Sequence, residues 1–213
     1  DAVARSGGLP IAGLYTPAAA PAADASARWR SFASVPDLER AVAKMTARGA
    51  RVVTPGTNVP DRGRHALLRD AQGALVGVLQ SASGDRPDEP VAAGEFFWVD
   101  LYARDVEAAV QFYADLGYSI AREEATGPRV LQEADGHARA GVLPLPPEGR
   151  EPGRLPYVQV DDVAATVARV RAAGGRVLRE PDFAVLDGRL AVIADPHGAV
   201  LGLIHWQDEG AAR

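Results

Sequence analysis

The chain has 213 residues, a net charge of −5 and no cysteine, and its basic residues are spread rather than clustered. That excludes disulfides, thiolate metal sites and a cysteine nucleophile, and it argues against a nucleic-acid surface. Hydrophobic content of 47% and charged content of 24%, with no long apolar run, describe a globular chain without a membrane-spanning segment. The cytoplasm is the expected compartment. An exported location stays open, because the sequence starts at Asp1 rather than at a methionine.

Residues 1–16 hold one short apolar run, in which Leu9, Ile11 and Leu14 form a single expected strand ended by Pro17. An Ala/Pro-rich linker follows. A strand is expected over Trp29–Val35, then a helix over Leu38–Ala47 with Asp37 as its cap and Leu38, Ala41, Val42 and Met45 at helical spacing. Gly49 is placed to end that helix. Val52-Val53 reads as a short strand, and His65–Arg69 with Ala74–Gln80 as a hairpin across the turn Asp70-Ala71-Gln72-Gly73. The polar, Pro- and Gly-rich stretch 83–95 reads as a linker. Beyond it come a strand over Phe96–Ala103, a helix capped by Asp105 and ended by Gly117, and strands over 118–123, 130–133 and 138–145. After a second Pro-rich linker, Leu155–Trp206 reads as strand, helix and three strands, and 208–213 is a tail.

These elements repeat. Shifting 155–206 back by 125 residues lays it on 30–81 without a gap. Val160 falls on Val35, Asp162 on Asp37, Gly174 on Gly49, Asp195 on Asp70 and Gly202 on Gly77. A shift of 57 places Asp105 on Asp162, Val110 on Val167 and Gly117 on Gly174. A fixed period marks a duplicated structural unit. The unit βαβββ is therefore expected at about 29–81, 96–145 and 155–206, with residues 1–16 as the tail of a further, incomplete copy. The implied division is an N-terminal domain over 1–82, the linker, and a C-terminal domain over 96–207. An unpaired 29–81 unit would leave a sheet edge open, which makes homodimerisation an expectation.

The segments DVEAAVQFYADLGY, DDVAATVARVRAAGGRV and DPHGAVLGL, in this order and at this spacing, resemble the glyoxalase/bleomycin-resistance/extradiol-dioxygenase group, the vicinal oxygen chelate superfamily. The resemblance implies an α+β fold in which repeated βαβββ units pair into curved, cup-like mixed sheets with helices outside. It also implies a site inside the cup. Strand alternation then aims Trp98, Asp100 and Tyr102, and Leu155, Tyr157 and Gln159, into the cup.

Metal-using members of that family place a His early in a unit's first strand and a Glu in its last. The positions that align with the His here are Arg30, Trp98 and Leu155, and those that align with the Glu are Gly77 and Gly202. None supplies a side-chain ligand, so no metal or other cofactor is expected. Of the histidines, His137 and His197 read as turn residues, His65 as a strand residue and His205 as structural; no two share ligand spacing such as His-x-x-x-His. The cup instead offers Trp98, Tyr102, Tyr157 and Trp206 for stacking on a flat ligand, and Asp100, Gln159 and Arg189 for orienting it.

The expected function is metal-independent binding of a small, partly aromatic molecule in the cup of the C-terminal domain. Two alternatives stay open. One is an enzyme, either a lyase, isomerase or dioxygenase with unrecognised metal ligands or a hydrolase or isomerase using Asp100 as base. The other is an interaction module whose cup is filled by side chains.

Overall fold

The computed structural model describes residues 2–15, 27–85, 89–122, 128–147, 149 and 151–207. In chain order the elements are β1 (Ala2–Ser6), β2 (Leu9–Leu14), β3 (Phe32–Ser34), α1 (Leu38–Ala47), β4 (Arg51–Val59), β5 (Gly63–Arg69) and β6 (Leu75–Ser81). They continue as β7 (Phe96–Ala103), α2 (Val106–Ala114), β8 (Ser119–Arg122), β9 (Arg129–Gln132) and β10 (Ala138–Pro144). The last repeat supplies β11 (Gly153–Gln159), α3 (Val163–Ala172), β12 (Arg176–Arg179), β13 (Leu190–Ala194) and β14 (Val200–Ile204). The class is α+β with mixed sheets, as expected.

Each repeat is wired alike. Its first and last strands run parallel (β3 with β6, β7 with β10, β11 with β14), and the other neighbours are antiparallel. An aspartate caps each helix: the side chains of Asp37, Asp105 and Asp162 accept from the backbone N–H of Arg40, Ala108 and Ala165, each at 2.9 Å. Such a cap satisfies one of the donors that every helix start leaves open. The hairpin turn is shared as well. Asp70 Oδ1 accepts from the N–H of Gln72 and Ala74, and Asp195 Oδ1 from those of His197 and Ala199.

The chain forms two compact units: residues 1–29, 89–97 and 156–213 in one, and 30–88 with 98–155 in the other. This grouping differs from the division in chain order into 1–82 and 96–207. In the second unit α1 and α2 share one core, to which Leu38, Met45, Leu68, Val76, Leu101, Tyr113 and Val142 contribute. Polar contacts bind the same two repeats. Lys44 Nζ donates to the Asp115 carbonyl at 2.9 Å, Arg48 pairs with the Asp115 carboxylate at 2.6 Å, and the Gln72 side chain bonds both backbone groups of Asp105, at 2.7 and 2.9 Å. The core of the first unit gathers Val160, Val163, Val167, Ile193 and Leu203 behind α3.

Three strands differ from expectation. Residues 2–14 make a hairpin rather than one strand, because Gly7 and Gly8 both take positive φ and turn the chain. The pairing part of the strand expected over Trp29–Val35 is only Phe32–Ser34. The strand expected at Val52-Val53 runs instead from Arg51 to Val59. It lies at the end of its sheet in the order β3-β6-β5-β4, with register shifts on either side of Thr54, so Pro55 is tolerated there.

Candidate functional site

In the second unit, β7 presents Trp98, Asp100 and Tyr102 on one face, as the alternation predicts. Trp98 Nε1 donates to Asp100 Oδ1 at 2.8 Å, which fixes both side chains. Asp100 lies opposite Gly141 in the parallel β7–β10 register, and Tyr102 opposite Leu143. A Cβ on Gly141 would meet Asp100 Oδ1 at 2.5 Å. The glycine is what lets the carboxylate lie over the neighbouring strand.

The first unit holds the other sequence-derived candidates, and most are engaged. Tyr157 is buried, with its ring over Gly202. The Gln159 side chain is tied to the backbone of Trp206: its Oε1 accepts from the Trp206 N–H at 3.0 Å and its Nε2 donates to the Trp206 carbonyl at 3.2 Å. The Trp206 ring stacks on Phe97 with centroids 5.6 Å apart. Arg189 is used by its own loop, where Nε donates to the Leu186 carbonyl at 3.1 Å and the guanidinium lies 3.7 Å from Asp187. The structure thus brings Trp98, Asp100 and Tyr102 together on one strand face and Gln159 with Trp206. The contacts of Arg189 lie within its own loop.

Sequence reasoning missed Phe97, the stacking partner of Trp206, and Gly141. The shift of 57 that maps Asp100 onto Tyr157 carries the signal for Gly141, but the hairpins of the two repeats differ in length. Strand register now shows three equivalent pairs: Phe32 opposite Gly77, Asp100 opposite Gly141, and Tyr157 opposite Gly202. A Cβ on Gly77 or Gly202 would overlap the Phe32 or Tyr157 ring.

These pairs test the metal that family resemblance implies. The last-strand position that would carry a carboxylate is glycine, and in two repeats a ring fills the space above it. Among the described residues no three His, Asp or Glu side chains come together in a metal-binding group. The described residues do not fit a family-type metal site.

The histidines have local partners or lie exposed; the His65 ring centroid lies 5.4 Å from that of Phe32. His205 Nδ1 lies 2.9 Å from the Val160 carbonyl and Nε2 lies 3.0 Å from the Gln207 amide nitrogen. A carbonyl only accepts, so Nδ1 carries the proton and Nε2 is the acceptor. His197 sits exposed in its turn, and His137 is held by Asp135 through both its backbone and its ring.

Comparison with known proteins agrees with the fold. The chain is 31% identical over 179 residues to a protein of Mycobacterium tuberculosis named "Putative glyoxylase CFP32", covering 83% of this chain and 69% of that one. It is 28% identical over 186 residues to an anthracycline biosynthesis protein, DauV, of Streptomyces sp. strain C5, covering 84% and 66%. The crystal structure of glyoxalase I from Zea mays superposes with a TM-score of 0.55 at 21% identity, over 87% of this chain and 70% of that one. The family model of the Glyoxalase/Bleomycin resistance protein/Dioxygenase superfamily matches residues 95–203. The match runs across the repeats at 96–145 and 155–206, and the chain belongs to that superfamily.

Proposed function

We propose that this protein binds a small, partly aromatic molecule without a family-type metal, with Trp98, Asp100 and Tyr102 as the recognition face. One observation carries the reading: glycine occupies the equivalent last-strand position in all three repeats, at residues 77, 141 and 202. That position can supply no side-chain oxygen, whereas the β7 face offers two aromatic rings and an oriented carboxylate. Trp98 and Tyr102 supply stacking area, and Asp100, held by Trp98, supplies one directional acceptor. The relatives named for anthracycline biosynthesis support a ligand built on fused rings.

The test combines metal analysis by plasma mass spectrometry with fluorescence titration against planar aromatic compounds, an anthracycline among them. The expected result is below about 0.1 divalent ion per chain after gentle purification, with saturable quenching that Trp98→Phe weakens at least about tenfold. A stoichiometric divalent ion would overturn the metal-free reading in favour of a chelate-type lyase, isomerase or dioxygenase. Quenching unchanged in Trp98→Phe would overturn the assignment of the face.

A further inference from the structure

The second unit contains a cleft of about 590 Å³ on the opposite side of β7 from Asp100. Val99 lines it, and a strand sends Val99 away from Trp98 and Asp100. Its volume falls in the range that holds small organic ligands. Phe32, Val99 and Leu131 give it an apolar bed, while Ser31, Tyr118 and Arg154 add polar groups.

Arg154 is the unusual member. Its Nη1 donates to Ser31 Oγ at 3.1 Å, and its guanidinium carbon lies 5.1 Å from the centre of the Tyr113 ring. Its Nε is shielded from solvent and has no hydrogen-bond partner among the described residues. No ion pair joins it to a described carboxylate. The carboxylates that line the cleft are Glu133, Asp135 and Asp85. Glu133 pairs with Arg139 at 2.7 Å, and Asp135 holds His137 at 3.0 Å. The buried Asp70 carboxylate reaches Arg154 only through the Tyr113 hydroxyl, and a half-buried cation with no direct ion pair is well complemented by an anion. A guanidinium matches a carboxylate in shape as well as in charge. With Nε shut away, the Nη edge beside Ser31 is the part left for recognition. The Tyr118 hydroxyl is neutral and able to donate, and burial raises its pKa further.

We propose that this cleft binds a small organic carboxylate with a flat apolar body. The carboxylate lies against the Nη edge of Arg154 and the Ser31 hydroxyl, and the body lies over Phe32, Val99 and Leu131. This site is separate from the Trp98 face and stands whether or not that face binds a ligand.

Benzoate is the probe, titrated into the full chain and followed by amide chemical shifts, with neutral benzamide as the matched control. The expected dissociation constant is on the order of 1 mM. Shifts should centre on residues 31–34 and 118, benzamide should bind at least about tenfold more weakly, and Arg154→Gln should cost about tenfold or more. Arg154 also braces Ser31 and Tyr113, so two further variants are measured. Phe32→Ala removes an exposed ring and should weaken binding about threefold to tenfold. Arg154→Lys keeps the charge but loses the fork, and should fall between wild type and Arg154→Gln. The proposal is overturned if benzoate fails to saturate, if benzamide binds equally well, if residues 31–34 and 118 do not shift, or if Phe32→Ala binds as wild type does.

Discussion

Tyr113 is almost wholly buried, and its hydroxyl donates to Asp70 Oδ2 at 2.9 Å. Burial, with Asp70 adding to it and Arg154 opposing it, pushes the Tyr113 pKa from 10.0 up to about 12. The folded state therefore keeps a proton that the unfolded chain loses in this window. The stability it contributes is whole below pH 10 and drains away as pH climbs through about 12. Denaturant midpoints across that range should fall, and Tyr113→Phe should flatten the fall. At neutral pH the same variant should cost about 1–3 kcal/mol, because Asp70 keeps its burial but loses a donor. An unchanged neutral midpoint would mean that Asp70 recruits water instead. Asp70 was legible in the sequence as a turn residue, and Tyr113 lies within the helix expected between Asp105 and Gly117. Their bond was not legible, since it joins residues 43 positions apart.

At the scale of strands, the parallel pair of first and last strands is the repeated motif, and its glycines decide what each pair can hold. Gly202→Ala would force a Cβ into the ring of Tyr157, which is 4% exposed and has nowhere to go. Gly77→Ala meets the ring of Phe32, which is 40% exposed and can swing outward. Overpacking should therefore cost about 3 kcal/mol at position 202 and about 1 kcal/mol at 77, read from denaturant midpoints. Equal costs would show that burial does not govern the ring's freedom. Most elements were legible because local chemistry specifies them: the caps Asp37 and Asp105 start helices where expected, and Gly49 and Gly117 follow them with positive φ. The long strand over Arg51–Val59 was hidden by Pro55 and Gly56. Those residues are acceptable only because that strand ends its sheet, which is a property of the neighbours rather than of the segment.

At the scale of the whole molecule, the constant shifts of 125 and 57 made the repeats readable, but not which repeat shares a core with which. Sequence periodicity says that copies are alike. It is silent on the contacts between α1 and α2 that draw 30–88 and 98–155 into one unit. Gln72 belongs to the turn of one repeat and bonds the backbone that starts the helix of the next. Gln72→Ala should lower stability by about 1–2 kcal/mol, since it removes two partners from a helix start. A double-mutant cycle with Asp105→Ala should show non-additivity, because both residues serve the same helix start. The candidate face was only partly legible, for a related reason. Alternation put Trp98, Asp100 and Tyr102 on one strand face, but it could not foresee that Gln159 would be tied to the Trp206 backbone and Arg189 to its own loop.

The ring-over-glycine pairs also shape which sequences this chain can reach by mutation. A carboxylate cannot enter at 202 while Tyr157 stands over it, and cutting back Tyr157 alone opens a buried void that a glycine does not fill. Each single step is penalised, and only the two together could be tolerated. Acquiring a last-strand ligand in that repeat therefore means crossing a valley of sign epistasis. The fold leaves its loops and the exposed Phe32 as the cheaper ground on which new binding chemistry can be tried.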